Sequence, residues 1–255
     1  FLIASFEVLA LLVLIGSFIF LIRRNVIRIQ RFWKPEMKGW PTSDANLILF
    51  FEILLMSAFL FMNAADFLLQ KKEVVGYVQA GAFPISSFLT QFLTSLSNEN
   101  IIIIERFCWW FHIIGIFVFL NYLVVSKHLH ILFAFPNTYY SNLKPKGEFS
   151  NMVSVTNEVK MMLDPNIDPF ASPVSETSVE RFGAKDVTDL NWVQLMNAYT
   201  CTECGRCTSE CPANVTGKKL SPRKIMMDVR DRVEEVGKGI DKNGQLDIDD
   251  FKSKL

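Results

Sequence analysis

The sequence predicts a mainly α-helical protein: a membrane domain of about three spanning helices, a polar connecting stretch, and a helical domain organised around four cysteines. Three observations carry this prediction. Half of the 255 residues are hydrophobic, and most of these precede residue 136 while most charges follow it. Three apolar runs before that point are long enough to cross a bilayer. Four of the five cysteines crowd into "CTECGRCTSECP", residues 201–212. Such a shift marks a boundary between lipid and water and gives domains at 1–136, 137–190 and 191–255.

Residues 1–22, "FLIASFEVLALLVLIGSFIFLI", hold one charge, Glu7. At ~1.5 Å per residue they reach ~33 Å, enough for the hydrocarbon core. The loop that follows carries Arg23, Arg24, Arg28, Arg31, Lys34 and Lys38. Such a loop is expected on the cytoplasmic side of an inner membrane, with Trp33 and Trp40 at the headgroup level. Residues 46–69, containing Glu52, Asn63 and Asp66, form a second span, and 101–126 a third, with a helix continuing toward Pro136. Residues 74–98 are interrupted by Gly76, Gly81 and Pro84. A fourth span there would put either the basic loop or the cysteines outside, so the segment is read as amphipathic and lying on the outer surface.

The stretch "DPNIDPFASPVSETS", 164–178, reads as irregular linker. A short helix over 191–199 leads into the cysteines. A longer one starts at 220–222, with Ser221 as N-cap and Pro222 at the first helical position. "DKNGQLDIDDF" at 241–251 imitates a calcium loop, but the sixth position lacks Gly and the twelfth is Lys252, so a surface turn is expected. The chain starts at Phe1 inside an apolar run and stops at Leu255 without a tail, so it is expected to be part of a longer protein. Neither a basic n-region nor a small-residue cleavage site flanks the first run, so a secretory signal is not expected. Zero formal net charge argues against a nucleic-acid partner.

The cysteines follow C-x2-C-x2-C-x3-C-P: Cys201, Cys204, Cys207, Cys211, Pro212. This is the bacterial ferredoxin run for [4Fe–4S] clusters, whose fourth cysteine serves a second cluster in two-cluster proteins. Gly205 permits the tight turn. Zinc sites place a dozen or more residues between two C-x2-C pairs, and a disulfide framework does not suit a membrane protein without a secretory signal. Two clusters need more ligands than five cysteines supply. Cys108, inside a span, reads as a packing residue, so the missing ligands are expected beyond residue 255 or in a partner subunit.

Residues 182–232, "FGAKDVTDLNWVQLMNAYTCTECGRCTSECPANVTGKKLSPRKIMMDVRDR", resemble the iron–sulfur region of membrane-bound heterodisulfide-reductase-like oxidoreductases. The match rests on Trp192 and the short helix after it, the cysteine run, Thr216-Gly217, and Leu220-Ser221-Pro222. The resemblance implies a ferredoxin-like 4Fe-4S domain behind a membrane domain similar to the nitrate reductase gamma subunit. The family's further cysteine-rich domains are not in this sequence, so its catalytic chemistry is not carried over.

Gamma-type membrane domains bind haem b through histidines. His112 and His130 are eighteen residues apart, five full turns of a continuous helix, and so share one face ~27 Å apart. They cannot share a haem, and the second span has no histidine, so a haem here needs a partner's ligand. Met56 and Met62 are read as packing residues, and His128 and His130 otherwise as interfacial. Glu52, ionisable at membrane depth, is the candidate proton carrier for a quinone. Two functional readings remain: a membrane-anchored iron–sulfur electron carrier working with a quinone or haem, and a non-enzymatic subunit with a structural or redox-sensing cluster.

Overall fold

A computed structural model describes residues 1–145, 147–148, 151–163 and 183–244. Among them there is helix and no strand. The linker at 164–178 and most of the 241–251 turn lie outside the described residues.

Helix α1 runs Leu2–Asn25, α2 Trp40–Lys71, α3 Ser86–Leu89 and α4 Asn98–Leu123. α1, α2 and α4 are each long and apolar enough to span a membrane, the three spans the sequence predicts. α2 is central and packs against α1 on one side and α4 on the other. It starts earlier than the apolar run because Gly39 turns the chain at φ 85° and Pro41 fits the first helical turn. α2 and α4 approach closely at Gly115, where a Cβ would lie 2.5 Å from a Leu55 methyl. Close approach at a small residue is how membrane helices gain contact without a hydrophobic driving force.

Residues 74–97 do not span. They form turns and α3, and Leu93 joins Ala64, Ala65, Leu68, Leu69 and Ile101 in the largest buried cluster. Glu7, fully buried in α1, ties the segment down. One carboxylate oxygen accepts the N–H groups of Ile85 at 2.8 Å and Ser86 at 3.2 Å, and the other accepts the Asn63 amide at 3.1 Å. The Ser86 hydroxyl donates to the Leu60 carbonyl at 3.0 Å. The one acidic residue of the first span is therefore a structural acceptor, and Asn63 makes an inter-helix hydrogen bond.

The third span differs from the sequence expectation at its end. α4 stops at Leu123, and α5 starts separately at His130 and runs to Tyr139. Asp44, at the start of α2, causes the break. Its carboxylate accepts the hydroxyls of Tyr122 and, at 2.7 Å, Ser126, and the Lys127 N–H at 3.0 Å. Those bonds hold residues 124–127 in a turn, so the continuous face expected for His112 and His130 does not exist.

After α6 (Val153–Leu163) come α7 (Trp192–Tyr199), α8 (Arg206–Ser209), α9 (Pro212–Val215) and α10 (Pro222–Asn243). The chain divides into two compact units. The first holds residues 1–132 with 199–227, so the cysteine run shares a unit with the spans. The second holds residues 133–198 and 228 onward. Within it Arg232, 3% exposed, grips Asp186 through Nε at 3.0 Å and a terminal nitrogen at 2.7 Å. Asp186 also opens the 3-10 turn Val187–Asp189 with a reciprocal cap, and Trp192 packs edge-to-face on Tyr140 at 4.6 Å.

Replacing Glu7 by Leu strands two main-chain N–H groups and an amide, at about 1–3 kcal/mol for an orphaned donor. Limited proteolysis in nanodiscs should show cleavage between residues 72 and 90 several-fold faster in Glu7→Leu than in the parent.

Candidate functional site

The cysteine loop is built by two left-handed residues flanking Cys204, Glu203 at φ 55° and Gly205 at φ 73°. Gly205 is needed twice. Its φ disfavours a side chain, and a Cβ there would run into the Arg223 guanidinium and approach the Arg31 carbonyl. After the turn, Cys207 lies exposed in α8, and Cys211 precedes Pro212, which opens α9. Cys201, Cys204 and Cys211 are half-buried.

Among the described residues no thiol chemistry is preformed, ligation of one metal group by the four clustered cysteines included. None of the five cysteines is in a disulfide, and among the described residues no three His, Cys, Asp or Glu side chains converge on a metal position. The donor set itself suits a soft, thiolate-ligated cluster. Burial opposes charge on Cys204, but the Arg206 N–H, the Thr202 hydroxyl and the Arg206 and Arg31 cations outweigh it and hold the thiol below its ordinary pKa. A thiolate is the form that binds metal.

What holds this loop in place is a buried polar network. Arg223, 1% exposed at the start of α10, donates to the Arg31 carbonyl at 2.6 Å, to Glu36 at 2.7 Å and to the Glu203 carbonyl at 3.5 Å. Its N–H donates to Thr208 at 3.1 Å, and Ser221 donates to Glu36 at 3.1 Å. Ser221 also accepts the Lys224 N–H at 3.3 Å, the N-cap expected from sequence. On the other side the Glu203 carboxylate, 2% exposed, pairs with the Lys127 ammonium, which also donates to the Pro41 carbonyl at 2.6 Å. The cysteine loop is thus fastened to the loop between α1 and α2 and to the turn that ends the third span.

Sequence reasoning singled out the cysteines but not Glu36, Asp44, Glu203 and Arg223, which hold their loop. One signal was available: an Arg in the first turn of a helix opposes the helix dipole and so calls for a carboxylate partner. Burial opposes charge on Glu36, yet hydrogen bonds from Arg223 and Ser221 and the Arg223 charge keep its carboxyl below the usual range. Burial pushes Lys127 down, against the pull of Glu203 and Asp44.

The other candidates lie on the membrane helices and in the turn after the third span. His112 Nδ1 engages the Leu55 carbonyl at 3.0 Å, and His130 Nδ1 the Lys127 carbonyl at 2.9 Å. His128 lies edge-on to His130 at 5.6 Å and to Phe119 at 5.4 Å. Burial, with His130 beside it, holds His128 below its ordinary pKa. Glu52 is half-buried and makes no hydrogen bond or ion pair among the described residues. An apolar groove of about 340 Å³ runs between α2 and α4, lined by Phe51, Leu55, Phe107, Trp110, Ile114 and Val118.

Three relatives are informative. A protein named "Probable iron-sulfur-binding oxidoreductase FadF" from Bacillus subtilis is 30% identical over 157 residues, 62% of this chain and 19% of its own length. "EtfAB:quinone oxidoreductase" of Syntrophomonas wolfei is 29% identical over 201 residues, 76% of this chain and 25% of its own. "Probable membrane-anchored ferredoxin" of Chromohalobacter salexigens is 38% identical over 47 residues, 18% of this chain and 7% of its own. The chain therefore spans a quarter or less of the relatives it matches. These names support an iron–sulfur oxidoreductase family. No family model and no solved structure matches.

Gly205→Ala should destabilise the first unit by at least ~1–2 kcal/mol from the left-handed backbone alone, read as a lower denaturation midpoint in detergent. Because the Glu36 carboxyl is held low, its contribution is complete above the ordinary value of ~4.3 and is lost as pH falls through the lowered one. The protection of residues 199–211 against hydrogen exchange, taken relative to the intrinsic rate at each pH, should therefore fall on acidification in the parent, and Glu36→Gln should already have low protection at neutral pH and lack that step.

Proposed function

We propose that this chain is the membrane-anchored iron–sulfur part of an electron-transfer oxidoreductase that exchanges electrons with a quinone in the bilayer. The observation that carries the reading is the C-x2-C-x2-C-x3-C-P loop fastened to the basic end of a three-span anchor. Bound there, a [4Fe–4S] cluster supplies one-electron chemistry. Cys201, Cys204 and Cys207 are its ligands, with the fourth from outside this run. Cys211 serves a second cluster whose remaining ligands lie outside this sequence.

The chain's own residues hold and orient. Arg206, Thr202 and Arg31 favour the thiolate at Cys204. Glu203, Arg223 and Lys127 fix the loop at the membrane edge. The basic 23–38 loop favours the cytoplasmic side of an inner membrane, and a reducing compartment suits thiolate ligands. The apolar groove between α2 and α4 suits the hydrocarbon part of a quinone, and Glu52, without a partner among the described residues, is the candidate to carry its proton. The names of the relatives, an iron–sulfur-binding oxidoreductase, a quinone oxidoreductase and a membrane-anchored ferredoxin, support this reading. The heterodisulfide-reductase-like and gamma-type comparisons belong with it as finer assignments, as do partner subunits. A haem b at His112 or His130 requires an axial ligand from such a partner, because neither of the first two spans contains a histidine.

The test is anaerobic purification in detergent. Iron and acid-labile sulfide, an absorbance near 400 nm that bleaches with dithionite, and its return on adding a quinone are expected. Cys204→Ser should lose most of the iron, whereas Cys108→Ser should keep it. A protein that holds iron but never reoxidises with quinone would support the rival reading as a non-enzymatic subunit. Glu52→Gln should keep the cluster spectrum and lose at least tenfold in quinone-linked turnover.

A further inference from the structure

We propose that the buried pair Lys127–Glu203 is a positioning pair through which the end of the third membrane span sets the reduction potential at the cysteine loop. The inference rests on the iron–sulfur reading above and goes beyond it by assigning that role to two residues that are not ligands. Glu203 stands between Cys201 and Cys204, is 2% exposed and pairs with an ammonium whose side chain is 9% exposed. The Lys127 main chain is anchored by Asp44 and its Nζ by the Pro41 carbonyl, so the cation is fixed by two spans and not by the loop it serves.

The surroundings are unevenly charged. Arg24, Arg31, Lys127 and Arg223 face Asp44, Glu36 and Glu203, and Arg24 lies within electrostatic reach of Glu203, Asp44 and Arg223. The Nε–H groups of Arg24, Arg31 and Arg223 are buried without a hydrogen-bond partner among the described residues. The site therefore has cationic charge and donor capacity left over beside the loop that would carry a thiolate-ligated, negatively charged group. Net charge near a cluster is one of the factors that set its potential. A nearby cation favours the reduced state and a nearby anion the oxidised state. Lys127 and Glu203 offset each other, and removing either exposes the other.

The experiment is a redox titration followed by electron paramagnetic resonance on the full chain, purified anaerobically, for the parent, Lys127→Met, Glu203→Gln, the double variant and Lys127→Arg. Lys127→Met should lower the potential and Glu203→Gln raise it. Each should change the reduction constant at least threefold, about 28 mV from 59 mV per tenfold for one electron. The double variant and Lys127→Arg should return close to the parent. If the single variants load no iron but the double variant does, the pair only places the loop, because an isolated buried charge is worse than none, and the proposal that it sets the potential is overturned. Shifts of one sign, no shift, or a double variant that also loads no iron overturn it. A parent without any iron–sulfur signal overturns the functional reading itself, a result distinct from all of these.

Discussion

Buried charge at the membrane edge must be paired, and that constraint organises this molecule. Leaving one partner of a buried pair alone costs about 3–5 kcal/mol. Arg223, Glu36, Glu203, Lys127 and Asp44 meet this requirement by bonding across chain segments nearly two hundred residues apart. Because Arg223 also reaches main-chain carbonyls of the α1–α2 loop and of the cysteine loop, satisfying the charges fixes the backbone as well. A loop that would otherwise be a surface turn becomes part of the same compact unit as the spans.

The same logic operates at the other end of the bundle. Glu7 is the only acidic residue in the first span, and it is satisfied by two main-chain donors and one amide. Those bonds explain why residues 74–97 lie down on the helices without crossing. Asp44 does the corresponding work near the cysteines by ending α4 early. Each carboxylate sits where an apolar element must stop or turn, and each is met by main-chain N–H groups as well as side chains. For the proposed function the consequence is a cysteine loop bonded to residues at the ends of two spans.

The spans were legible because apolar length reports directly on bilayer thickness. The tight turn at Gly205 was legible because it is local: the structure holds Gly205 at φ 73°. Ser221 and Pro222 marked the start of α10 correctly because caps are local. The continuous third helix was misread for the opposite reason. Within residues 120–136 the local mark is Ser126, which caps the turn Lys127–Leu129; the carboxylate that holds Ser126 there is Asp44, about eighty residues away. The domain bounds read from composition, at 136 and 190, follow polarity along the chain, whereas the compact units follow contacts that return from residue 199 to the first helices.

By itself, the sequence determined three membrane spans, the identity and spacing of the thiol donors, and the side of the anchor that carries basic charge, because each follows from local composition or from spacing within a dozen residues. Only the tertiary structure decided that Glu7 is an acceptor for a distant turn, that His112 and His130 lie on separate helices, and that Lys127 and Arg223 clasp the cysteine loop. Those outcomes depend on which carboxylate meets which donor after folding, and the energy of such a meeting depends on burial and geometry that no local stretch of chain encodes.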